Sequence, residues 1–292
     1  MSVSSAPRHF LAYVTASDRE DYALDFVNFR NMTRRHPGVA KIELYIAVSR
    51  VRAFDHSDRR ALAGLVDMAG ACPWITVQAV IWKGNIGRDF SSVEACLRQL
   101  APAAGPSDLV LIRNRSAGGP HAPRWYGRYV DQYFKFAGTG LVGSTINFAG
   151  HPDLPVRGPT THVQTYAYLS EWRHLQSLAR EYPAARCTER LQLIGEGEIG
   201  LSQKFLDRGL GISCLHWPEA FFTRERPGAA SLPQTDIKRR AHNVPLRYKS
   251  YGNPLNPILW AAKQLWLHRL RDRGRQRAIE LLAPELVIQD YG

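Results

Sequence analysis

Strand-like and helix-like stretches alternate through the first ~115 residues, and this constrains the fold more than any other feature of the chain. Phe10 to Thr15, Lys41 to Val48, Ile75 to Trp82 and Asp108 to Ile112 are apolar runs rich in strand formers. Between them lie segments with helix-start signals. Ser17 and Glu20 have capping-box spacing, Asp55 or Ser57 suits an N-cap, and Ser91 and Glu94 repeat the box. The expected helices run to about Arg35, Met68 and Leu100. A β-α-β-α-β-α-β order implies a parallel sheet with helices on its faces, and such sheets bind ligands at the carboxyl ends of their strands. Those ends read Thr15-Ala16-Ser17, Ser49-Arg50, Asn85 to Asp89 and Arg113 to Ser116. No G-x-G-x-x-G follows the first strand, which argues against a dinucleotide-type Rossmann domain.

The rest of the chain follows a different pattern. Leu141 to Ile146 reads as a strand, and His162 to Leu169 alternates polar and apolar residues as a half-buried strand does. Helices are expected over Glu171 to Arg180 and Glu198 to Arg208, with a strand from Gly211 to Leu215. After about Phe222 the chain is Pro-rich and basic, ending in an amphipathic helix over Ile258 to Arg271. These features divide the chain into residues 1–225, in two halves (1–120 and 121–225), and a basic segment 226–292.

The 292 residues carry a formal net charge of +12, which suits an anionic small ligand, an anionic membrane face or nucleic acid. The aromatic-basic surface motifs of RNA-binding modules are missing, so no nucleic-acid partner is expected. Trp260 and Trp266 beside the basic run Leu267 to Arg277 suit peripheral contact with an anionic membrane; the same run also reads as a solvated face. No run of ~18 uninterrupted apolar residues occurs, and Met1 to Arg8 lacks the apolar stretch of a signal peptide. Cys72, Cys96, Cys187 and Cys214 lack metal-ligand spacing and read as reduced thiols of a cytosolic protein.

Four stretches carry side chains suited to chemistry. Asn85, Gly87, Arg88 and Asp89 join the third strand to a helix expected near Ser91; glycine, helix N-terminus and guanidinium together suit an anion, with a nucleotide foremost. Asn114, Arg115 and Ser116, followed by Gly118-Gly119, suit diphosphate contact or form an ordinary exposed loop. Glu196 and Glu198 stand at an expected helix start, where a carboxylate is held as an anion and can act as a general base or is simply the acidic charge common at helix N-termini. His162, Gln164 and Tyr166 would share one strand face, as ligands of a polyhydroxylated substrate or as structural residues. His216 is a weak candidate metal ligand.

In this order the segments NIGRDF (Asn85 to Phe90), DLVLIRNRSAGGP (Asp108 to Pro120), LVGSTI (Leu141 to Ile146), HVQTYAYL (His162 to Leu169) and EIGLSQKFLDRGLGISCL (Glu198 to Leu215) resemble glycosyltransferases of the GT-A fold. The likeness is to those related to rhamnan synthesis protein F and to surface-glycan enzymes of large algal viruses. YGNPLNPILWAAKQ, Tyr251 to Gln264, resembles the closing segment of that family. The resemblance implies a GT-A-like, Rossmann-type mixed α/β sheet flanked by helices, with a basic C-terminal helical extension. It implies transfer of a sugar from a nucleotide-sugar donor to a hydroxyl of a growing surface glycan, lipopolysaccharide or lipid-linked acceptor at the cytoplasmic membrane face. Glu198, eleven residues before Gly209, would be the base; Thr15 and the NIGRD segment would contact the donor. The family's Asp-rich Mn²⁺ or Mg²⁺ motif is replaced here by Asn114-Arg115-Ser116, so no cofactor is assigned and the expectation is metal-independent transfer or lost activity. Inversion or retention, a non-catalytic GT-A-like partner, and polyanion binding stay open.

Overall fold

The structure, a computed structural model, describes residues 6–18, 22–154, 160–226, 240–248 and 288–291, the last of these by backbone alone. The expected alternation is present: β1 (His9–Ala16), α1 (Ala23–Arg34), β2 (Ile42–Ser49), α2 (His56–Gly70), β3 (Ile75–Lys83), α3 (Arg88–Leu100) and β4 (Leu109–Asn114). Then come β5 (Ala117–Gly118), α4 (Gly127–Lys135), β6 (Thr139–Gly143), β7 (Ile146–Asn147), β8 (His162–Val163), β9 (Ala167–Glu171) and α5 (Trp172–Leu175). A helical stretch begins as α6 (Arg190–Gln192), widens into a π-helical segment (Leu193–Ile199) and continues as α7 (Gly200–Asp207). β10 (Gly211–Cys214), β11 (Phe221–Phe222), β12 (Arg247–Tyr248) and β13 (Ile288–Tyr291) complete the elements.

Nine strands form one sheet in the order β11-β10-β6-β9-β4-β1-β2-β3-β13. β1 pairs in parallel with β2 on one side and β4 on the other; β9 is antiparallel to both β4 and β6. The expected mixed α/β sheet flanked by helices is therefore present. Residues 10, 12 and 14 of β1 point to the layer formed by α3 and α7, while Leu11 and Tyr13 point to the layer formed by α1, α2 and α4. Burial on both faces explains why the first strands read as continuous apolar runs.

Several local expectations are corrected. Ser17 does not cap α1, whose N-cap is Tyr22 in the left-handed region. Ser17 instead ties β1 to β2: its N–H donates to the Ser49 carbonyl at 3.0 Å and its hydroxyl accepts from Val51 N at 3.3 Å. α3 opens at Arg88, three residues earlier than expected, because Gly87 takes φ +68° and starts the helix itself. The Ser91 hydroxyl donates back to the Arg88 carbonyl at 3.1 Å, and Glu94 is buried in ion pairs with Arg98 and Arg186, so no capping box forms. At α2 the cap is Asp55, one of the two expected, and it closes a capping box with Asp58.

The stretch from His162 to Leu169 is not one strand. β8 pairs with β7 in a small separate ladder, the chain turns at Thr165-Tyr166, and β9 joins the main sheet. Alternation broken by a turn no longer places 162, 164 and 166 on one face. From the basic segment, β12 pairs with β5, Val244 and Leu246 are buried, and β13 lies parallel to β3 at the sheet edge. The expected helix over residues 258–271, with its membrane-contact reading, lies outside the described residues. Among the described residues no helix is long and apolar enough to cross a membrane.

Buried Asn28 of α1 positions the loop after β4. Its amide donates to the Arg115 carbonyl at 3.0 Å and the Tyr13 hydroxyl at 3.1 Å, and its oxygen accepts from Gly119 N at 3.2 Å. Leaving these groups without a partner costs about 2 kcal/mol. Asn28→Ala is therefore expected to lower unfolding stability by about that amount in urea titrations and to speed hydrogen exchange at the Gly119 amide.

Candidate functional site

The site lies at the carboxyl ends of β1 and β4. Val14 is in register with Asn114, so their side chains leave the same sheet face, which Ile112 shares. α3 starts over this face and brings Asp89, in its first turn, to the end of β4. The Asn114 amide nitrogen donates to Asp89 Oδ2 at 2.9 Å. Glu198 arrives from the far side of the chain. The backbone at Gly197 lies against the Phe90 ring so closely that a Cβ there would stand 2.4 Å from the ring carbon Cζ. Only glycine permits that approach, which seats the next residue in the cleft. Asp89, Asn114, Glu198 and Thr165 together line a pocket of ≈ 80 Å³ whose apolar wall includes Val14, Phe90 and Ile112.

Placing two carboxylates in one pocket has an electrostatic consequence. Burial first, and the Asp89 charge second, push the Glu198 pKa above its ordinary value; His151 and Arg190 offset part of this. The expected helix-end stabilisation is absent. The chain is already helical from Arg190, so Glu198 sits within a helical run rather than among free amides at its start. The π-helical widening at Leu193–Ile199 is an irregularity often found at functional sites.

Other candidates fall elsewhere. Thr15 leaves the opposite side of the sheet from Val14 by strand alternation, and Arg115 lies in the turn after β4. Arg115 forms a two-point ion pair with Asp18, one arm at 2.9 Å, and donates to the Ala16 carbonyl at 3.2 Å. Ser116 accepts from Gly118 N at 3.0 Å, so the loop after β4 satisfies its own backbone. The Gly87 N–H donates to the Cys187 carbonyl at 3.0 Å, and Arg88 N donates to Asn85 at 3.2 Å; these amides are already engaged. Gly87 is required because a Cβ would lie 2.2 Å from the Ala185 carbonyl oxygen, a packing demand distinct from ligand approach. The Arg88 and Asn85 side chains are exposed.

Glu196 is exposed on the opposite flank and accepts from Cys187 Sγ at 3.3 Å. His162 is buried, with Nδ1 2.5 Å from the Thr160 carbonyl and Nε2 3.3 Å from the Gln164 amide. Tyr166 is buried against Tyr248, with its hydroxyl 3.1 Å from Thr145 Oγ1. His216 is buried with its ring 4.6 Å from that of Trp217. Thr165 and Tyr168, which do line the pocket, were hidden by reading residues 162–169 as one strand.

The residues at the end of β4 do not form an Asp-rich cation site. Asn114 binds Asp89 through its amide nitrogen, Arg115 holds Asp18, and among the described residues no group of three or more His, Cys, Asp or Glu is arranged to hold a metal.

No known protein family matches the chain, and no curated protein sequence matches it. Similar solved structures include a mannosyltransferase of Pyrobaculum calidifontis in complex with GDP-mannose and Mn²⁺, at 10% identity over 95% of this chain and 76% of that one (TM-score 0.45). A galactosyltransferase in complex with donor and acceptor sugar analogues is 13% identical over 89% of this chain and 95% of that one (TM-score 0.43). A 4-diphosphocytidyl-2C-methyl-D-erythritol synthase is 15% identical over 81% and 99% of the two chains (TM-score 0.41). Each is a weak likeness in chain path.

A carboxylate whose pKa is raised on folding favours the folded state most when it is protonated. Glu198→Gln should therefore unfold at a higher temperature than the native chain at neutral pH. That advantage should narrow as pH falls through the raised Glu198 pKa, as read by thermal melts across the acidic range.

Proposed function

We propose that this chain is a glycosyltransferase that moves a sugar from a nucleotide-sugar donor to a hydroxyl of a growing glycan. The observation that carries the reading is the convergence of Asp89, Asn114 and Glu198 in one pocket at the carboxyl ends of β1 and β4. Hydroxyl attack on an anomeric carbon needs a base on the acceptor side. A carboxylate of raised pKa is a stronger base, once ionised, than an ordinary one and suits that task. Asp89 keeps Glu198 basic through its negative charge, and Asn114 fixes Asp89 by donating to it. Glu198 takes the acceptor proton, and direct displacement inverts the anomeric centre.

The departing nucleoside diphosphate needs positive charge. Arg88, exposed in the first turn of α3, is assigned to it, with the +12 net charge favouring approach of an anionic donor. Arg115 joins only if the donor draws it from Asp18, so transfer is proposed to proceed without a divalent cation. The family resemblance of the NIGRDF and EIGLSQKFLDRG segments supports the same reading.

The test pairs binding with turnover. Thermal melts with UDP, GDP, dTDP and CDP, each with Mn²⁺ and with EDTA, should show stabilisation by one nucleotide that persists in EDTA. With the matching nucleotide-sugar, Glu198→Gln should retain that shift while release of nucleoside diphosphate falls about 10²- to 10⁴-fold. Turnover unchanged in Glu198→Gln would remove the base from the mechanism; no nucleotide shift under any condition would remove the donor.

A further inference from the structure

α3 separates two cavities. Asp89, Phe90 and Val93 face the pocket described above; Ser91, Glu94, Ala95 and Arg98, one stripe at helical spacing, face a second. This second cavity measures ≈ 180 Å³ and is closed by Lys83 and Gly84 at the end of β3 and by Ala185-Arg186. Lys83 is 4% exposed and lines this space. Among the described residues its acceptor is the neighbouring Gly84 carbonyl, which serves one of its three N–H groups. Glu94 cannot act as its counter-ion, since both carboxylate oxygens are engaged by Arg98 and Arg186, the latter at 2.7 Å.

The lining thus holds three cations, Lys83, Arg98 and Arg186, against one carboxylate, Glu94, an excess of two positive charges. A buried ammonium is costly, and the carboxylate charge that acts on it, Asp89, belongs to the neighbouring pocket and not to this lining. Burial accordingly pushes the Lys83 pKa down to about 8, with Asp89 resisting the shift. Anions that match two positive charges, accept several N–H bonds and suit guanidinium forks are phosphoryl groups.

We propose that the cavity between β3, α3 and residues 185–186 is a binding site for a phosphoryl dianion, seated on the Lys83 ammonium and flanked by Arg98 and Arg186. It is distinct from the carboxylate pocket and does not depend on glycosyl transfer. Two sources share the chemistry: free phosphate or a phosphomonoester, and the diphosphate of a nucleotide.

Calorimetric titration of the full chain separates them, using inorganic phosphate, a nucleoside diphosphate and the corresponding phosphate-free nucleoside. Lys83→Met removes the ammonium at nearly constant volume, and Lys41→Met, an exposed lysine, controls for the loss of net charge. Lys83→Met should melt at or above the native temperature without ligand, because burial penalises this charge more than Asp89 favours it, and this shows that the variant folds. Phosphate affinity should fall at least tenfold in Lys83→Met and stay unchanged in Lys41→Met. If the tenfold loss appears with the nucleoside diphosphate instead of inorganic phosphate, the nucleotide is the source. Phosphate and nucleoside diphosphate that both fail to bind, or that bind Lys83→Met as tightly as the native chain, would overturn the site.

Discussion

The parallel pairing of β1 with β2 on one side and β4 on the other is the constraint on which the rest depends. It buries β1 on both faces, forces the connecting helices onto the sheet, and makes the carboxyl ends of three strands finish together. It also sorts side chains. Because Val14 and Asn114 are in register, Asn114 must point toward α3, and the neighbouring Arg113 must point away. Arg113 is fully buried, its guanidinium 5.4 Å from the Tyr13 ring centroid and donating to the Ala117 and Gly119 carbonyls. A run that looks uniformly polar is thereby split into a pocket residue, a core residue and, in Arg115, a half-buried ion pair.

Charge is distributed around α3 in a matching way. The side of the helix toward β4 and the π-helical segment gathers Asp89 and Glu198; the side toward β3 gathers Lys83, Arg98 and Arg186 around Glu94. The two sides sense each other, since Asp89 raises the pKa of both Glu198 and Lys83. One helix thus carries a carboxylate-lined pocket and a cation-lined cavity on opposite flanks.

Much of the first half of the fold was legible, because burial on both faces makes a parallel strand an uninterrupted apolar run. β1 to β4 lie within a residue or two of their expected spans, and Asp55 caps α2 through local geometry alone. Expectations failed where a long-range partner took over a local signal. Ser17 bonds across to Ser49 and Val51 instead of capping a helix, and Glu94 turns to Arg186. Residues 162 to 169 alternate as one strand would, yet Ile146 and Asn147 pair with β8 alone, and the turn that follows brings Thr165 to the pocket.

The sequence by itself determined the α/β class, the strand ends at which a site must lie, and the candidacy of Asp89, Asn114 and Glu198, because strand periodicity and side-chain chemistry are local properties. Tertiary structure alone decided which candidates meet. Strand alternation turned Thr15 from Val14, the ion pair with Asp18 took Arg115, the close approach of Gly197 to Phe90 brought a residue 109 positions from Asp89 beside it, and burial, not a helix end, set the basicity of Glu198. Distance through space and exclusion of water are properties of the packed chain, and no spacing along the sequence encodes them.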